Sequence, residues 1–99
     1  MARNLPRGAE RQIQKAGLPT SGSMPFIPKL EKNKRGKLII KKVTIQHGPK
    51  KGKKGYVDST GKIWIRDRAH VNYPDHWDVQ ENGGKEGRTR IGDDGEPIP

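Results

Sequence analysis

The 99 residues fit one domain, yet only 28% are hydrophobic and none is cysteine, so the core is small, no disulfide staples it, and thiol chemistry is closed to the chain. Lys and Arg number 21 against 11 Asp and Glu, a formal net charge of +10 that attracts polyanions over long range and makes a nucleic acid or an acidic protein the natural partner. No apolar run approaches the length of a membrane span and the N-terminus lacks an apolar signal stretch, so an exported form is expected to travel within a larger chain or with help.

Charge is unevenly spread. Residues 1–54 carry a net +13, with Glu10 and Glu31 their only carboxylates, while residues 55–99 carry a net −3. Residues 1–36 read as a flexible, basic, Pro/Gly-rich arm in which Pro6, Pro19, Pro25 and Pro28 interrupt any long helix. Only Gly8 to Ala16 can turn into a helix, and Ile13 is its single strong apolar residue, so the stretch is expected to be a short docked helix or a linker.

Residues 37–99 read as a small β domain. The β-branched run from Leu38 to Ile45 favours a strand, with Lys41 and Lys42 adding cations. The stretch from Gly48 to Gly55 has no apolar residue, and Lys50, Lys51, Lys53 and Lys54 make it an exposed cationic loop suited to phosphates. Tyr56–Asp58 and Lys62–Arg66 flank Ser59-Thr60-Gly61, the pattern of a hairpin. Alternation puts Ile63 and Ile65 on one face and Lys62, Trp64 and Arg66 on the other, where Trp64 beside cations suits stacking a base or covering a second sheet.

After a loop around Asn72-Tyr73-Pro74, residues 76–80 read as another strand, with Trp77 and Val79 facing one way and His76, Asp78 and Gln80 the other. Gly83-Gly84 turns the chain, residues 88–91 return as a strand, and Asp93-Asp94-Gly95 ends it. The expected fold is α+β and mainly β: a twisted antiparallel sheet of four to five strands, with one short helix at most.

Cleaving RNA without a metal takes a base for the 2′-hydroxyl proton, an acid for the leaving oxygen, and cations where charge builds on phosphorus oxygens. His70, His76, Asp78, Glu81, Lys85, Arg88 and Arg90 supply those types within 21 positions. The plainer readings are a surface loop residue for His70, a cross-strand hydrogen bond for His76 and a solvated sheet face for the charged groups. Under the catalytic reading, Asp78→Asn and His76→Ala are each expected to abolish cleavage while leaving the folded sheet nearly intact. A shared ion on His70, His76 and Asp78 is not expected: no zinc motif is present and neighbouring Lys and Arg repel a cation. No cofactor is implied.

The Gly55-Tyr56-Val57-Asp58 hairpin, Trp64, and the His76-Trp77-Asp78-Val79-Gln80 strand resemble C-terminal RNase toxin domains of bacterial polymorphic and contact-dependent inhibition systems. The stretch from Trp77 through Arg88 to Gly95 is also similar to the cytotoxic domain of ribosome-cleaving colicins and cloacin. There an Asp directly after a Trp matches Asp78, a following Glu matches Glu81 or Glu86, and a later Arg matches Arg88 or Arg90. The family's His falls where this chain has Glu81, so the role passes to His76 or His70.

The resemblance implies a toxin ribonuclease acting on ribosomal RNA or tRNA in the cytoplasm of a target bacterium, delivered within a larger protein and held in check by an acidic immunity protein. The RNA contacts are expected from Lys41, Lys42, the loop lysines, Trp64 and Arg66. The alternative is a non-catalytic basic RNA-binding module, which accounts for the charge and the lysine loop but leaves the clustered His, Asp and Glu unused.

Overall fold

Helix α1 (Arg7–Ala16) begins after Pro6, carries Glu10 in its first turn, and ends where Gly17, at φ 75°, turns the chain so that the N–H groups of Gly17 and Leu18 both reach the Ile13 carbonyl. In this computed structural model, which describes residues 5–46, 51–67, 75–80 and 89–98, seven strands follow. They are β1 (Leu30–Lys32), β2 (Leu38–Ile40), β3 (Lys42–Thr44), β4 (Lys54–Val57), β5 (Ile63–Asp67), β6 (His76–Gln80) and β7 (Thr89–Gly92). β1 and β2 pair antiparallel on their own, and β3 to β7 form an antiparallel sheet in chain order. The protein is mainly β with one short helix.

The segment expected as a flexible arm is, over its described part, docked. Ala9, Ile13, Leu18 and Phe26 pack with Ile40, Trp64, Trp77, Val79 and Ile91 in the larger core cluster. Gln12 accepts a hydrogen bond from the Ile40 N–H at 2.8 Å, and the Trp77 indole donates to the Gly17 carbonyl at 3.4 Å. A boundary at residue 36 therefore divides nothing in the core. Ile13 has little apolar company on its own helix but finds it on the sheet, which a local count cannot register.

The run from Leu38 to Ile45 is two strands rather than one. At Lys41 the backbone changes partners: its N–H donates to the Lys29 carbonyl at 2.8 Å and its carbonyl accepts from the Val57 N–H at 2.9 Å. Everything before it pairs with β1, and everything after it with β4. β-branched side chains favour extended backbone without specifying which neighbour the strand joins.

The β4–β5 hairpin forms as expected, and Asp58 organises it. Asp58 Oδ1 accepts from the Thr60 N–H, the Thr60 hydroxyl and the Lys62 N–H at 2.7–2.9 Å, while Oδ2 takes the Trp64 indole N–H at 2.9 Å. Gly55 is required on β4 because a Cβ there would drive into the Ile63 side chain. Strand alternation gives the main sheet two faces: Tyr56, Trp64, Trp77, Val79 and Ile91 turn toward α1, while Val57, Ile63 and Ile65 pack with Ile45 on the other side. Among the described residues no helix is long and apolar enough to cross a membrane.

Candidate functional site

The strand register gathers the charged residues of the second half. Asp67, the last residue of β5, lies opposite His76, the first of β6, and Asp78 lies opposite Ile65. β7 then sets Gly92 beside His76 and Arg90 beside Asp78. Opposed residues, and residues two apart on one strand, share a face, so Asp67, His76, Asp78, Gln80 and Arg90 stand together on the side away from α1.

His76 Nε2 is 3.3 Å from Asp78 Oδ1 and 3.7 Å from Asp67 Oδ2. All three side chains are buried, His76 at 0% exposure, and Gln80 is buried beside them. Arg90, half-buried, brings a guanidinium to the strand position next to Asp78. An imidazole between two carboxylates can take up a proton and have the resulting charge stabilised, while the carboxylates orient the ring.

Asp67, His76 and Asp78 also each offer a ligand atom within 4.8 Å of the others. The two His76 separations, 3.3 and 3.7 Å, are short enough for the imidazole and either carboxylate to share a divalent cation. From sequence an ion shared by His70, His76 and Asp78 is not expected. The structure supplies Asp67 as the third donor, and His70 lies outside the described residues.

The shared face of His76, Asp78 and Gln80 is as expected from alternation, but its solvation is not. β6 lies inside the sheet, between β5 and β7, and all five of its residues are buried. Replacing His76 therefore removes a fully enclosed side chain, and the expectation that the fold would stay intact is corrected. Trp64 is also corrected as a base-stacking residue: it is buried, bonded to Asp58, and edge-on to Phe26 at 5.2 Å and 81°. The number of apolar partners on the α1 side, not the neighbouring cations, decides its place.

Lys42 and Arg66 stand on the α1-facing side, opposite the cluster. Lys42 Nζ lies 5.3 Å from the Tyr56 ring centre, and the Arg66 guanidinium 5.1 Å from that of Trp77. Arg66 forks onto Asp93, whose carboxylate hydrogen-bonds the guanidinium and holds its pKa above the ordinary value. Lys51, Lys53 and Lys54 are exposed, but Lys54 and Gly55 open strand β4 rather than closing a loop, because they pair with Thr44 and Val43, and Lys41 is half-buried at the strand crossover. Lys50, Glu81, Lys85, Glu86 and Arg88 fall outside the described residues.

The chain matches no protein-family model, no curated protein and no solved structure. Its chemistry is therefore read from the geometry. Asp67 is the member that sequence reasoning missed. The available signal was its place at the end of a strand just before a connection whose return strand begins with a His, but pairing the two needs the register.

Proposed function

We propose that this chain is a ribonuclease domain of a bacterial toxin, which cleaves RNA by general acid–base catalysis at Asp67, His76 and Asp78. The observation that carries the reading is the buried carboxylate–imidazole–carboxylate arrangement, with Nε2 at 3.3 and 3.7 Å from its two oxygens. Burying these groups costs desolvation that an apolar trio would not, so a role beyond packing is the simplest reason for their presence. In this reading Asp67 or Asp78 takes the 2′-hydroxyl proton and passes it to the enclosed His76 ring, which returns it by the same route to the leaving oxygen, and Arg90 faces the charge that develops on the phosphate. His70, which precedes β6 in the sequence, and Glu81, Lys85 and Arg88, which follow it, are the next candidates for substrate contacts. The domain acts in the cytoplasm of a target bacterium, carried there by a larger protein, and an acidic immunity protein neutralises it in the producer.

The test is incubation of the purified chain with ribosomes and with bulk tRNA, with and without a chelator. Discrete fragments in chelator are expected, and Asp78→Asn and Asp67→Asn are each expected to lower the rate at least about 100-fold, the usual scale of an acid–base group, with a melting temperature close to the parent's. Cleavage that appears only with a divalent ion reassigns the trio to metal ligation. If the parent cuts neither substrate with or without metal, the enzyme reading falls. The second reading, a non-catalytic RNA-binding module, draws on the exposed Lys51, Lys53 and Lys54 and takes over on that result.

A further inference from the structure

The cations of α1 have no part in that chemistry. Arg7, Arg11 and Lys15 recur every four residues, so they form one row, advancing about 6 Å along the axis at each step. All three are exposed, while Ala9 and Ile13 hold the opposite side of the helix in the core. At one end of the row, Arg7 and Arg11 share the wall of a hollow of about 470 Å³ with Lys37. At the other end, Ala16 follows Lys15 and walls a second hollow of about 270 Å³, together with Lys42, Lys54, Tyr56, Arg66 and Trp77.

This second hollow has the components of a nucleotide socket. Every charged side chain lining it is a cation. Arg66 is committed to Asp93, with Asp75 at 3.9 Å, whereas Lys42 and Lys54 are exposed and lie on the same side of the sheet as Tyr56. Tyr56 is half-buried and fixed edge-on to Trp77 at 6.0 Å and 73°, so its ring is a rigid platform. The Lys42 ammonium over that ring sits on a flexible stem. A base entering the hollow can take the ring face while the ammonium moves to the accompanying phosphate, exchanging a cation–π interaction for stacking plus a charge pair.

We infer that α1 and this hollow form a track for single-stranded nucleic acid: Arg7, Arg11 and Lys15 neutralise successive phosphates, and Tyr56 stacks one base whose phosphate meets Lys42 and Lys54. The track lies on the sheet face opposite His76. It shares its ligand class with the ribonuclease reading and does not depend on cleavage.

The test is the fluorescence anisotropy of a labelled single-stranded DNA of about ten nucleotides, a length within the usual site size, titrated with the full chain over a range of salt. DNA lacks the 2′-hydroxyl, so binding is read whether or not the chain cuts RNA. Combined Arg7→Gln, Arg11→Gln and Lys15→Gln is expected to lower the slope of log affinity against log salt by about 0.7 for each phosphate left unneutralised, roughly 2 in all, and combined Lys42→Ala and Lys54→Ala by roughly 0.7 for the one phosphate they share. Tyr56→Leu is expected to weaken binding about ten-fold at unchanged slope, with Tyr56→Phe close to the parent. Unchanged slopes in both charge variants overturn the track, and parent-like affinity in Tyr56→Leu overturns the socket. Polyglutamate competing as well as unlabelled DNA would identify an acidic-protein surface instead, and overturn both. Absence of RNA cleavage with these binding effects intact removes the enzyme reading alone.

Discussion

On the α1 side of the main sheet the largest enclosed side chains, Trp64, Trp77, Phe26, Ile40 and Ile91, are apolar apart from indole N–H groups that find acceptors, and the buried Asp58 carboxylate there is satisfied by the hairpin turn and the Trp64 indole; on the other side Ile45, Val57, Ile63 and Ile65 share the interior with Asp67, His76 and Asp78. The first face gains on burial at about 25 cal/mol per Å² of apolar surface. The second gives up part of that gain, because each enclosed charge must recover its missing hydration from its neighbours. The α1 face holds the larger apolar core, and the mixed face holds the enclosed titratable groups.

Breaking the α1 face has the largest expected effect. Trp64→Ala is expected to cost about 3–5 kcal/mol, as for other enclosed aromatics, and to strip Asp58 Oδ2 of its donor. Chemical denaturation followed by circular dichroism measures it. His76→Ala, on the mixed face, is expected to cost about 3 kcal/mol, since it leaves two enclosed carboxylates without the imidazole between them. The two faces differ in what gentler substitutions do. On the ribonuclease reading, the isosteric Asp67→Asn and Asp78→Asn are expected to separate activity from stability, whereas no substitution at Trp64 is expected to do so.

Asp58→Ala sharpens the comparison on a smaller scale. It withdraws acceptors from three turn donors and an indole, with an expected cost of about 1.5–3 kcal/mol, read as a fall in denaturation midpoint. A cost near zero would mean that the hairpin is held by its strands alone. Combined replacement of Lys50, Lys51, Lys53 and Lys54 by Ala is expected to leave the melting temperature unchanged while lowering the salt slope of RNA binding by about 0.7–0.9 for each phosphate the loop no longer neutralises. An unchanged slope removes this loop from the interface.

The hydrogen bonds of the hairpin bear on the motif behind the toxin resemblance. In Gly55-Tyr56-Val57-Asp58 followed by Trp64, the glycine is demanded by Ile63 and the Asp ties the turn to the indole. Both are devices of folding, so that part of the pattern indicates a hairpin design rather than a reaction. The His76-Trp77-Asp78 part is the one that places titratable groups. Its alternation was readable, because period-two geometry sends His76 and Asp78 one way and Trp77 the other whatever surrounds them.

Local chemistry in the sequence by itself determined the mainly β class, the hairpin around Ser59-Thr60-Gly61, the glycine-marked turn after β7 and the exposure of Lys51, Lys53 and Lys54, because turn residues, alternation and the absence of apolar side chains act within a few positions. Only the tertiary structure decided that the strand run breaks at Lys41, that α1 docks through Ile13, that Trp64 belongs to the core, and that Asp67 joins His76 and Asp78 in an enclosed cluster. Each of these depends on which strand lies beside which and in what register. Burial and charge pairing are properties of the assembled faces, and residues distant in the chain become neighbours only when the sheet closes around them.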